Sequence, residues 1–87
     1  TVMETRVALI SMIVQDQESA LEINALLHAY RQYIIGRMGI PYAPKKISII
    51  SIAIDAPQDI ISALSGKLGA LRGVSAKTVY SKVEGAN

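Results

Sequence analysis

The sequence predicts an α+β domain in the order βαββαβ, a four-stranded antiparallel sheet carrying two helices on one face. Two runs rich in β-branched residues, 7–14 and 47–54, are each followed by a helix-start signal, and two amphipathic stretches with three- and four-residue spacing lie between strand-like segments. The prolines at 41, 44 and 57 and the glycine at 73 fall between these segments.

The first strand is Val7-Ala-Leu-Ile-Ser-Met-Ile-Val14, closed by the polar Gln15-Asp16-Gln17. Asp16 stands at a helix N-cap position, where its carboxylate accepts orphan backbone N–H groups, and Glu18 suits the positive end of the helix dipole. Helix 1 is expected over 17–30 or 17–32, burying Ala20, Ile23, Leu27 and Tyr30 with Leu26 at the flank. Residues 33–40 read as strand 2, because Gly36 and Gly39 are costly in a helix and acceptable in a bulged strand. Pro41 and Pro44 cannot donate to a ladder, so 41–46 is the expected hairpin loop.

Strand 3 spans 47–54 with five isoleucines in eight residues, and Pro57 then marks the start of helix 2. Ile60, Leu64, Leu68 and Leu71 share one face of that helix, and Gly73 supplies a left-handed residue at its end. Residues 74–81 form strand 4. This is the split βαβ, or ferredoxin-like, arrangement. Right-handed crossovers place both helices on the same side of the sheet.

The domain is expected to span 1–87 as a single unit, with a folded core at 5–83 and short flexible termini. Hydrophobic residues make up 51% of the chain against 18% charged, which excludes a disordered protein. Nine basic and seven acidic residues are scattered along the chain, and phenylalanine and tryptophan are absent. That pattern disfavours direct nucleic-acid binding, which calls for a basic patch and stacking aromatics. With no cysteine, thiolate nucleophiles, disulfides and cysteine-based metal sites are excluded, and the composition suits the cytoplasm. No apolar stretch is long enough to span a bilayer as a helix, and no targeting signal is evident.

Both alternating sets of the central strands are apolar, whereas a solvated sheet face would be polar on one side. The helices cover one face, so the other is expected to meet a second subunit in a dimer or larger even assembly. Burying ~500 Å² of apolar surface per subunit contributes on the order of 12 kcal/mol before association costs. The residues assigned to that interface are Ala8, Ile10 and Met12 of strand 1 with Ile47, Ile49 and Ser51 of strand 3.

Catalytic machinery is not evident. His28 is the sole histidine, so no histidine pair forms within a subunit. Ser65-Gly66-Lys67 matches the end of a phosphate loop but sits inside helix 2 without the upstream glycine. Gly66 and Gly69 instead suggest close packing of helix 2 against helix 1 or a neighbouring subunit. No cofactor or metal site is expected. An enzyme would need a polar constellation around His28 or Arg37, and the sequence shows none.

Longer strings carry a family resemblance. Leu26-Leu-His28, Gly36-Arg-Met-Gly-Ile-Pro-Tyr42, Ile61-Ser-Ala-Leu-Ser-Gly-Lys-Leu-Gly69 and Leu71-Arg-Gly-Val74 resemble the family of iron-only hydrogenase system regulators. That family looks like ACT domains and the C-terminal domain of the nickel-responsive repressor. The resemblance implies a cytoplasmic, ACT-like regulatory or sensing protein tied to expression or maturation of iron-only hydrogenase. It does not carry over the repressor's nickel site, which needs several histidines and a cysteine. ACT domains commonly bind effectors near the loop from strand 1 to helix 1 and at subunit interfaces. On this chain the resemblance therefore points to Asp16 and Gln17, facing Arg37 to Gly39 of another subunit, with His28 as a further candidate. The alternative is a structural adaptor or protein-interaction module with no small ligand.

Overall fold

The computed structural model describes residues 4–82. The expectations placed on residues 1–3 and 83–87 lie outside the described residues. Strand β1 (Arg6–Val14) leads through a 3-10 turn at Gln17–Ser19 into α1 (Ala20–Ala29), and a second 3-10 turn at Arg31–Tyr33 feeds β2 (Ile34–Tyr42). A third turn, Ala43–Lys45, closes the hairpin to β3 (Ile47–Ala56), which is followed by α2 (Gln58–Gly69) and β4 (Val74–Tyr80). The sheet order is β2-β3-β1-β4 and every neighbouring pair is antiparallel. This is the expected ferredoxin-like α+β architecture, with β1 and β3 central and β2 and β4 at the edges.

The pleat decides which side chains form the core. Ala8, Ile10, Met12 and Val14 of β1 share a face with Ile52, Ile54 and Ala56 of β3 and with Val74 of β4. They pack with Ile23 and Leu27 of α1 and with Ile61, Leu64 and Leu68 of α2. The interface assignment of Ala8, Ile10 and Met12 is therefore corrected: at 2, 0 and 1% exposure they are core residues, filled by the helices. Ile47, Ile49 and Ser51 of β3 do lie on the uncovered face, since they register with Tyr42, Ile40 and Met38 of β2 and Ser51 also with Ser11 of β1.

Smaller departures have local causes. Helix 1 is shorter than expected because tight turns bracket it, and Asp16 Oδ1 accepts from Glu18 N at 2.9 Å to cap the first turn rather than the α-helix itself. Ala20 is exposed, since the helix only begins there. On α2 the fully buried position is Ile61, with Ile60 half-buried beside it. β2 continues through Pro41 to Tyr42 because it is an edge strand, where one side of the backbone needs no donor.

The packing role assigned to Gly66 and Gly69 is not what α2 uses within the subunit. A Cβ at Gly66 would meet nothing within 4 Å, and one at Gly69 would make ordinary contact with Ala76 at 3.8 Å. Gly73 does take the expected left-handed conformation, at φ +69°.

Candidate functional site

Two regions bear on function: the loop between β1 and α1, and the open face of the sheet. In the loop, Asp16 is spent on structure. Its Oδ1 caps the 3-10 turn, and its Oδ2 stands 3.6 Å from Arg72 Nε. The loop is docked on the α2–β4 turn, where Gln15 N donates to Gly73 O at 2.7 Å and the buried Ser19 hydroxyl donates to Arg72 O at 2.6 Å. Gly73 allows this approach, since a Cβ there would fall 2.6 Å from Asp16 Cβ.

Gln17 points along the other side. Its Nε2 reaches Val14 O at 3.5 Å, and its Oε1 accepts from Ser48 Oγ at 3.4 Å. Arg37 and Gly39 register with Ile52 and Ile50, so they lie on the helix side of β2, and Arg37 Nη1 donates to Asn24 Oδ1 of α1 at 3.3 Å. Gln17, Arg37 and Gly39 thus line one flank of a single subunit, with the side chains of Gln17 and Arg37 paired locally. Asp16 turns away toward Arg72, and His28 is exposed at the far end of α1. Within one subunit the candidate ligand residues do not converge on one point. Among the described residues, no buried side-chain nitrogen or oxygen lacks a partner, and no group of three or more His, Asp or Glu side chains is placed to hold a metal ion. Ser19, Asn24 and Ser48 were not anticipated. For the two serines, a hydroxyl at a strand or helix end was the available signal.

The open face is arranged in rows across the four strands. One row holds Gly36, Ala53, Leu9 and Val79; the next holds Met38, Ser51, Ser11 and Lys77; a third holds Ile40, Ile49, Ile13 and Ser75. Its large apolar side chains, with Val7 and Tyr42 beyond these rows, are 39 to 62% exposed. With ordinary side-chain areas this amounts to about 700 Å² of apolar surface, above the few hundred Å² of a typical exposed patch. The face is interrupted by Ser11 and Ser51, which lie 3.2 Å apart, hydroxyl to hydroxyl, and satisfy each other, and by two charges, Lys77 beside Ser11 and Asp55 beside Val7. Gly36, Ser51 and Ala53 leave a hollow of about 250 Å³ between Leu9 and Met38. On the opposite side of the molecule, Ala25, Leu26, Ala70 and Leu71 line a shallow groove between the helices, with Glu22 and Lys67, whose amine donates to Tyr30 OH at 3.0 Å.

Comparison with known proteins gives two findings. A family model described as "TM1266-like: Iron-only hydrogenase system regulator, putative" matches residues 6–78. Among solved structures, the chain is similar to the uncharacterized protein TM1266 from Thermotoga maritima at 39% identity and a TM-score of 0.85, covering 91% of this chain and 100% of that one. No curated protein matches. No helix among the described residues is long and apolar enough to cross a membrane.

Proposed function

The chain belongs to the TM1266-like family of iron-only hydrogenase system regulators, and we propose that it regulates that system as a binding module that works by association through the open face of its sheet. The observation that carries this reading is the open face itself. Some 700 Å² of apolar side chain stands uncovered there, close to the ~800 Å² that each partner contributes to a standard protein interface.

The polar residues support association over a small effector. Asp16, Gln17 and Arg37 are engaged with their own subunit, and they do not frame a concave site with convergent polar groups. An effector reading retains one specific support, the hollow beside Ser51, whose volume of about 250 Å³ suits only a small molecule. A thermal-shift screen of amino acids, nucleotides and metals tests for it, and a reproducible hit would favour the effector.

Sedimentation equilibrium tests the leading reading. A dimer or larger even assembly at micromolar concentration is expected, and a stable monomer refutes it.

A further inference from the structure

Resting on the association reading, we propose that two copies of this chain pair open face to open face about a two-fold axis running parallel to the strands, between β1 and β3. A closed two-copy interface must be complementary to itself. The rows of the open face meet that demand about this axis, which sets β4 of one copy over β2 of the other and β1 over β3.

Val79 then lies over the second copy's Gly36, and Leu9 over the second copy's Ala53. In the third row Ile40 lies over the second copy's Ser75. Each of these pairs sets a large side chain against a small one. Ser11 meets the second copy's Ser51, hydroxyl to hydroxyl. Ile13 and Ile49, both large, meet at the centre, as side chains do between sheets packed about 10 Å apart. The hollow of about 250 Å³ beside Gly36, Ser51 and Ala53 is filled by the second copy's Leu9 and Val79.

The position of Lys77 is compatible with this axis. Lys77 is the basic residue of these rows and falls over the second copy's Met38, along which its aliphatic stem can lie while the amine reaches solvent. An axis across the strands at the level of this second row would lay each strand over its own counterpart and set Lys77 against Lys77, a like-charge contact that interfaces avoid.

The chain has no cysteine, so the test has a clean background. Positions 36 and 79 sit on opposite edge strands, three inter-strand spacings or about 14 Å apart within a subunit, too far for an internal disulfide. Gly36 accepts a side chain without strain, since a Cβ there meets nothing within 4 Å. The Gly36→Cys/Val79→Cys variant, treated with a short bis-maleimide able to span the roughly 10 Å between facing sheets, is expected to run mostly as a covalent dimer on a denaturing gel. Each single variant is expected to run as monomer. The pair Ile40→Cys/Ser75→Cys repeats the test in the third row. A monomeric wild-type protein in sedimentation overturns the association reading itself. A dimeric wild-type protein whose folded, dimeric double variants fail to cross-link overturns this axis alone, and so does a covalent dimer from a single variant.

Discussion

Replacing Gly73 with alanine probes the junction that holds the β1–α1 loop. The residue sits at φ +69°, and the left-handed conformation costs an L-residue roughly 1–2 kcal/mol relative to its preferred region. The added methyl would also fall 2.6 Å from Asp16 Cβ and 2.8 Å from Asp16 N. Neither atom is the free end of a flexible side chain, so the loop must move away from the α2–β4 turn. That movement strains two short bonds, from Gln15 N to Gly73 O at 2.7 Å and from the buried Ser19 hydroxyl to Arg72 O at 2.6 Å. Leaving one such buried group unpaired costs about 1–3 kcal/mol. The combined loss is about 2–5 kcal/mol, a large share of the roughly 5–15 kcal/mol that stabilises a typical domain. Urea unfolding followed by circular dichroism measures it, with variant and wild type at equal protein concentration so that association does not bias the midpoint. A loss under about 1 kcal/mol would refute the claim that this junction requires glycine.

Two further substitutions should act in the opposite direction. Gly66→Ala, exposed in the last turn of α2 with open space around the new methyl, should stabilise by about 0.5–1 kcal/mol through helix propensity, read as a raised urea midpoint at unchanged slope. Lys46→Gly, at the hairpin turn where φ is 55°, should gain about 0.5 kcal/mol, because relief of left-handed strain slightly exceeds the entropy cost of glycine; a lowered midpoint would count against that balance.

The element order was legible because each strand and helix carried its own period and its own punctuation. The parity of β1 was harder, since Val7, Leu9, Ile13 and Ala8, Ile10, Met12, Val14 are almost equally apolar sets. The sequence reading assigned Ala8, Ile10 and Met12 to the open face, and the signal that it left unused is the serine. Ser11 belongs to one set and Ser51 to the corresponding set of β3, and a hydroxyl is cheaper to place where it can reach water or another hydroxyl than in a core of aliphatic side chains. Applied to both strands, that rule selects the open face as observed, with Ser11 and Ser51 side by side. The shift from Ile60 to Ile61 on α2 has a different origin. Both residues fit the helical period, and the angle at which the helix lies on the sheet chooses between them.

The candidate site resisted prediction for the same reason that association now explains the composition better than ligand binding does. Charged and polar residues near a strand–helix loop read as ligand groups when their partners are unknown. Once the chain is folded, Asp16 belongs to a turn cap and Arg72, Gln17 to Ser48, and Arg37 to Asn24. Those pairings account for the loop without a ligand. They leave unexplained why the side of the sheet remote from the helices should display isoleucine, leucine, valine and methionine, since exposed apolar surface adds nothing to the stability of a lone subunit. The second copy proposed above would cover it. The alternation of large and small side chains along the rows, Leu9 beside Ala53 and Ile13 level with Ser75, adds a shape that a merely greasy surface would not need.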